Sequence, residues 1–230
     1  MNKLINSLFI AFVVLLVAGC AHQQSRQAAD VRIIQSPNDE RASEYLVLPN
    51  ELQVVLISDP EADKGAASLT VGVGTTANPV GREGLAHFLE HMLFMGTRKY
   101  PGVDEYGAFI KRHGGSTNAY TADNETTYLF DIRQQELEPA LDRFSQFFVA
   151  PLFAEEYVDR EKNAVNSEYQ LKLKDENRRL LAAQQQVMNP DSPYARFGVG
   201  NLDTLADRDN NKVRDDLMEF YNTHYSANLM

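Results

Sequence analysis

The stretch GLAHFLEHMLFMGT, residues 84–97, places two histidines and a glutamate inside an otherwise apolar run. On a helix each residue advances about 100°, so His87 and His91 lie about 40° apart, one turn above the other. Glu90 lies about 60° to the other side of His87, and the apolar residues occupy the opposite arc. The pattern predicts a helix with one packed face and one face that carries two imidazoles and a carboxylate.

Two histidines four residues apart have the spacing at which one helix binds a single zinc ion. The alternative is a pair of core histidines satisfied by hydrogen bonds, and the glutamate between them favours the metal. Cys20 is the only cysteine in the chain, so histidines and carboxylates must supply every ligand. A catalytic zinc needs a third protein ligand and an open position for water.

Candidates for the third ligand lie in EEYVDREKNAVNSEYQLKL, residues 155–173. Glu161 and Glu168 are seven residues apart, which puts them about 20° apart on one helical stripe. Ala164 and Val165 lie on the same stripe, so both carboxylates occupy positions that the apolar pattern marks as inward-facing. A buried carboxylate is costly unless it is paired, hydrogen-bonded or bound to a metal. The alternative is a solvated glutamate on a charge-rich helix.

The remaining pattern predicts strands before helices. Residues 45–58 predict a hairpin with Asn50 at its turn, and further strands are expected near 66–75, 116–121 and 126–133. Further helices are expected near 103–115, 134–149, 154–187 and 212–221. We predict an α+β fold, a mixed or antiparallel sheet with helices packed on one face. The closing residues SANLM predict the entry to another strand, so we expect a chain cut in mid-fold.

The N-terminus MNKLINSLFIAFVVLLVAGC has one lysine, an apolar run and then small residues. The apolar run of about 11 residues is shorter than the roughly 20 that a spanning helix needs, which favours a secretory signal over a simple membrane anchor. VAGC resembles a bacterial lipobox, which implies a lipoprotein signal peptide over 1–19, lipid on Cys20 and a lipidated polar tether over 20–43. Ala21 resembles an outer-membrane sorting signal. We expect a periplasm-facing lipoprotein of the bacterial cell envelope, in the outer membrane.

The net charge of −10 argues against a nucleic-acid partner, because phosphates require a basic surface.

Four motifs in order, GLAHFLEHMLFMGT, HGGSTNAYT, PLF and REKNAVNSEY, resemble the pitrilysin/insulinase family of inverted-motif zinc metallopeptidases. The likeness runs from about residue 45 to the end, and implies a pitrilysin-like N-terminal catalytic domain over 44–230. The resemblance makes His87, His91 and Glu168 the ligands of one zinc ion per chain. It makes Glu90 the catalytic base and Glu161 the carboxylate that orients a ligand imidazole.

The resemblance also implies the chemistry. Zinc lowers the pKa of its bound water toward neutrality, and Glu90 takes the water's proton and later gives it to the leaving amine. TNAYT would be an edge strand that pairs with an extended peptide, with Asn118 and Ala119 holding the peptide chain. An ordinary edge strand without a ligand is the alternative. We interpret Phe94 and Met95 as core packing around the site.

Two functions follow from these residues. The first is a zinc metalloendopeptidase that cleaves peptides outside the cytoplasm. The second is an inactive or partial pitrilysin-like domain that serves as a peptide-binding scaffold. The four intact residues of the motif favour the enzyme over a scaffold or a zinc store. Because family members close a chamber from two halves, we expect a second half in the same longer chain or a separate subunit, and weak or no cleavage without it.

Overall fold

The computed structural model describes residues 33–230 and divides them into two compact units after Ser58. The predicted signal peptide over 1–19, the proposed lipid site Cys20 and the tether as far as residue 32 lie outside the described residues. Among the described helices, none combines the length and the apolar character needed to cross a membrane.

The first unit contains a β-hairpin. Strands β1 (Ala42–Val47) and β2 (Gln53–Ser58) pair antiparallel, with Ala42 opposite Ser58. The turn uses Glu51 in a left-handed conformation, φ 71°, and the Asn50 side chain accepts a hydrogen bond from the Leu52 amide at 3.3 Å. The predicted hairpin with Asn50 at its turn is therefore confirmed.

The second unit is built on a three-stranded antiparallel sheet. Its strands are β3 (Lys64–Val71), β4 (Ser116–Thr121) and β5 (Thr126–Arg133), in the order β3-β5-β4. β5 is central, so β4 is an edge strand of this sheet. An edge strand leaves one row of backbone N–H and C=O groups without a strand partner.

Six helices belong to the same unit. They are α1 (Leu85–Leu93), α2 (Glu105–Arg112), α3 (Leu137–Val149), α4 (Glu155–Lys172), α5 (Glu176–Gln185) and α6 (Val213–His224). α1 contacts β4, α4 and α6, and α2 and α3 contact the sheet. The predicted α+β class, with an antiparallel sheet and helices packed against it, is confirmed.

An aromatic core joins the sheet to these helices. Tyr128 and Phe130 of β5 are buried, and the Phe130 ring lies 5.2 Å from the Phe144 ring on α3. The Phe94 ring follows α1 and lies 5.1 Å from Phe147. Edge-to-face contacts of this kind are favourable beyond the area they bury. The core therefore fixes the position of α1 relative to the sheet.

The expected single helix over 154–187 is wrong, because the chain breaks it between α4 and α5. Asp175 adopts an extended conformation there, and its side chain accepts a hydrogen bond from the Arg178 amide at 2.9 Å. This is an N-cap, which satisfies an otherwise orphan amide at the start of a new helix. A short polar side chain that bonds to nearby backbone thus ended a continuous helical pattern.

The expected strand entry at the closing residues is also wrong. Ala227–Leu229 forms a single 3₁₀ turn, in which the Leu229 amide donates to the Ser226 carbonyl at 2.9 Å. The Leu229 carbonyl in turn accepts from the Gly72 amide at 2.8 Å, just beyond β3. The closing residues therefore bond to the chain just beyond β3, but they do so from a 3₁₀ turn and not as a strand.

A buried cation secures the segment that leads into α1. Arg82 is 2% exposed and forms an ion pair with Asp216 on α6. Its guanidinium also donates to the carbonyl oxygens of Ala206 and, at 3.2 Å, Asn211. All these bonds span more than 120 residues of sequence, so they tie α1 to the closing part of the unit.

Replacing Arg82 by methionine is expected to lower the free energy of unfolding by about 3 kcal/mol, because Asp216 loses its cationic partner and two carbonyls each lose a hydrogen bond. Urea denaturation followed by circular dichroism measures this. Arg208 is exposed and donates to the Gly81 carbonyl, so Arg208→Met is the matched control, with an expected loss below about 1 kcal/mol. Equal losses in the two variants would contradict the role given to Arg82.

Candidate metal centre and active site

Helix α1 begins where two glycines approach closely. Gly84 precedes the helix with φ 91°, and a β-carbon there would lie 2.2 Å from the α-carbon of Gly200. Only glycine tolerates both the positive φ and the contact. The approach brings the loop that contains Val199 against the first turn of α1, where His87 lies.

Helix α4 presents Glu168 to both histidines of α1. Glu168 Oε2 lies 3.6 Å from His87 Nε2, and Glu168 Oε1 lies 3.5 Å from His91 Nε2. Ligand atoms at 2.0–2.1 Å from a tetrahedral zinc ion lie about 3.4 Å apart. Within residues 33–230, this is the one trio of His, Cys, Asp or Glu residues whose ligand atoms lie within 4.8 Å of one another. The donor set and its spacing fit zinc.

The Nδ1 atoms of both imidazoles lie within hydrogen-bond distance of groups outside the trio. His87 Nδ1 lies 2.7 Å from the Val199 carbonyl, and His91 Nδ1 lies 3.2 Å from Glu161 Oε2. Because a carbonyl and a carboxylate accept, each Nδ1 carries the hydrogen and each Nε2 offers its lone pair toward Glu168. Metal-binding histidines are commonly oriented by such partners.

Glu161 is buried on α4 and is paired on both of its oxygens. Oε1 accepts from Arg160 Nε at 2.8 Å, while Oε2 faces His91. Burial acts to raise the pKa of Glu161, but the hydrogen bonds from His91 and Arg160 outweigh it and lower the pKa. Glu161 is therefore held as a carboxylate against the imidazole.

The two histidines have opposite electrostatic environments. Burial lowers the pKa of His87, and the Val199 carbonyl only partly opposes this. Burial also acts to lower the pKa of His91, but the hydrogen bond to Glu161 and the charges of Glu168 and Glu90 outweigh it and raise the pKa. Metal binding requires both Nε2 atoms to be unprotonated.

Glu90 is buried on the same face of α1 and contacts the edge strand. Thr121, the last residue of β4, donates its hydroxyl hydrogen to Glu90 Oε2 at 2.5 Å. Burial raises the pKa of Glu90, and the threonine hydrogen bond opposes it. A carboxyl whose pKa is raised toward neutrality is suited to accept and return a proton.

A cavity of about 960 Å³ lies over these groups. Strand β4 lines it with Asn118 and Ala119, which pair with Leu129 and Tyr128 of β5 on the strand's other side. Phe94 and Met95 also border the cavity, although Met95 is buried and Phe94 packs in the aromatic core. The structure thus brings the predicted peptide-binding residues to the same cavity as the predicted zinc ligands.

Sequence reasoning missed two partners, the Val199 carbonyl and the Thr121 hydroxyl. Val199 is 112 residues from His87, and a backbone carbonyl has no sequence signature. Thr121 belongs to the quoted motif HGGSTNAYT, but nothing in its spacing pointed to Glu90.

An α+β domain with HxxEH on one helix and a facing glutamate on another defines the class of inverted-motif zinc peptidases. Residues 53–191 match the family model described as insulinase (Peptidase family M16). The chain belongs to this family, as an insulinase/pitrilysin-type peptidase domain.

Individual relatives support the same family assignment. The chain is 49% identical over 203 residues to "Insulin-degrading enzyme-like 1, peroxisomal" of Arabidopsis thaliana, covering 87% of this chain and 21% of the relative. It is 46% identical over 201 residues to insulin-degrading enzyme of Homo sapiens, covering 86% and 20%. The crystal structure of pitrilysin superposes with a TM-score of 0.85 at 38% identity, covering 88% of this chain and 22% of that one. The chain thus spans about a fifth of the length of these proteins.

Proposed function

We propose that the chain is the catalytic domain of a zinc-dependent endopeptidase that hydrolyses peptides or oligopeptides outside the cytoplasm. The observation that carries the proposal is the spacing of His87 Nε2, His91 Nε2 and Glu168, at 3.5–3.6 Å, with Glu90 on the same helix face. Membership of a peptidase family supports the same function.

In this proposal His87, His91 and Glu168 hold one zinc ion. Zinc bound there would lower the pKa of a water molecule and polarise a peptide carbonyl. Glu168 is the most open of the three, with 41% of its side chain exposed against 14% and 16% for the histidines. The exposed side of the trio faces the cavity, which leaves access for water and substrate.

Glu90 is the proposed base. Its carboxylate accepts a proton from the attacking water and returns it to the leaving amine. The Thr121 hydroxyl fixes one oxygen of Glu90, which directs the other toward the reacting water. Val199 and Glu161 keep the two imidazoles in the tautomer that presents Nε2.

Strand β4 is the proposed peptide platform. Its unpaired edge can add an extended peptide as a further strand, with Asn118 and Ala119 supplying backbone and side-chain contacts. Because Thr121 ends this strand and contacts Glu90, a peptide paired with β4 lies beside the base.

A second pitrilysin-like half, in the same longer chain or a separate subunit, is proposed to complete the chamber. The chain spans about a fifth of the length of these relatives. The alternative function is an inactive or partial domain that binds peptides as a scaffold. We expect the 230-residue chain alone to bind zinc and to cleave weakly or not at all.

The proposed location is the periplasmic side of the bacterial cell envelope, outer membrane rather than inner, through lipid on Cys20. The support is the sequence pattern of residues 1–21. Mass spectrometry of the N-terminal peptide of the mature protein tests this. An unlipidated Cys20, or retention of residues 1–19, would overturn it.

The function is tested by metal content and cleavage. We expect one zinc per purified chain by plasma mass spectrometry, and slow, chelator-sensitive cleavage of a quenched fluorescent peptide when the chain is in excess. A chain without zinc would overturn the site. Zinc with peptide binding but no cleavage is expected both of a scaffold and of a domain that lacks its second half, whereas robust cleavage by the chain alone would contradict the need for a second half.

A further inference from the structure

Four cations line the active-site cavity, and none takes part in the proposed chemistry. Arg196 donates to the backbone carbonyls of Asn78 and Thr76, which leaves three others. Lys172 ends α4, and Arg178 and Arg179 lie in the first turn of α5. Each is exposed, and no carboxylate of residues 33–230 forms a salt bridge with any of them. The chain as a whole has a net charge of −10, so these cations form a local positive patch on an acidic protein.

The four carboxylates that line the same cavity contact other groups, and one of them, Asp123, accepts from the Thr75 hydroxyl at 3.3 Å. Glu161 is paired with Arg160 and His91, and Glu90 accepts from Thr121. Glu168 lies between the two imidazoles and would neutralise part of a zinc ion. None of these four carboxylates forms a salt bridge with Lys172, Arg178 or Arg179, so the three cations remain available to a ligand in the cavity.

Lys172 is on the same helix as the proposed ligand Glu168. It lies four residues beyond Glu168 on α4, which places it one helical turn further along the same face. A substrate group that enters the cavity beside Glu168 therefore meets the face of α4 that carries Lys172.

We propose that Lys172, Arg178 and Arg179 form a subsite for acidic side chains, which makes the cleft selective for peptides that carry aspartate or glutamate near the bound segment. The inference rests on the proposed peptidase function and names its substrate class. Ammonium and guanidinium groups bind carboxylates through charge-assisted hydrogen bonds. Clefts of one charge also raise the local concentration of oppositely charged ligands.

Binding to the full 230-residue chain tests the subsite without requiring turnover. The zinc-loaded Glu90→Gln chain is titrated against three fluorescein-labelled peptides that differ only in a central Glu, Gln or Lys, followed by anisotropy. We expect the Glu peptide to bind on the order of fivefold more tightly than the Gln peptide, and the Lys peptide most weakly. The preference should shrink at high salt, because the cations are exposed.

Charge reversal at neighbouring positions supplies the matched comparison. Lys172→Glu is expected to abolish or invert the preference, and Arg178→Glu to reduce it. Lys174→Glu makes the same change two residues away, outside the cavity lining, and should keep it. Equal affinities for the three peptides, or equal effects of Lys172→Glu and Lys174→Glu, would overturn the subsite and leave the peptidase function standing. Failure of all three peptides to bind the zinc-loaded chain would overturn both.

Discussion

Glu90→Gln is expected to reduce the rate of peptide cleavage by about 10²- to 10⁴-fold and to leave zinc bound, because it removes the general base but no metal ligand. Glutamine has nearly the same shape, and its carbonyl oxygen can still accept the Thr121 hydrogen bond. The measurement is single-turnover cleavage of a quenched fluorescent peptide with the chain in excess, so that weak activity is recorded. Zinc content is measured on the same sample.

Glu61→Gln is the control for this substitution, since Glu61 is exposed and does not line the cavity. It should cleave at the wild-type rate. Retained cleavage in Glu90→Gln would exclude Glu90 as the base. Loss of zinc from Glu90→Gln would instead show that the carboxylate contributes to metal binding, contrary to the arrangement proposed here.

Glu168→Gln is expected to weaken zinc binding by more than about 100-fold, because it replaces the only anionic ligand of the trio by a neutral amide. Glu161→Gln should cost about 10- to 100-fold, since Glu161 acts through His91. Competition with a chromophoric zinc chelator at fixed pH measures both. Glu168→Gln should therefore weaken zinc binding more than Glu161→Gln does.

Glu156→Gln completes the series, because Glu156 is exposed in the first turn of the same helix and lies outside the cavity. Its zinc affinity should equal that of the wild type. If Glu161→Gln weakened zinc binding more than Glu168→Gln, the assignment of Glu168 as ligand and Glu161 as its support would have to be exchanged.

The fold was predictable where the sequence pattern is local. The spacing of the apolar residues predicted the helix that carries His87 and His91, and the sequence pattern also predicted β4 and β5. The break between α4 and α5 was missed because Asp175 competes with an otherwise helical pattern through one hydrogen bond. The final 3₁₀ turn was missed because its contact is with Gly72, far away in sequence.

The candidate site also has one part that local spacing predicted and another that it could not predict. Helical spacing brought His87, Glu90 and His91 onto one face, and resemblance to a family pointed to Glu168. The bonds that orient these groups come from Val199 and Thr121, and depend on the packing of other segments against α1. A periodicity along one helix carries no information about which distant carbonyl or hydroxyl will lie beside it.

The sequence by itself determined which functional groups are present. They are two imidazoles and a carboxylate on one face of an amphipathic helix, and glutamates at inward positions of a later helix. These follow from 3.6-residue periodicity, which is a local property of the backbone. Only the tertiary structure decided that Glu168 reaches both Nε2 atoms, that Glu161 turns to His91 and that Lys172 faces the same cavity. Those positions depend on how α1 and α4 pack, which long-range contacts such as the Gly84–Gly200 approach and the Arg82–Asp216 pair fix.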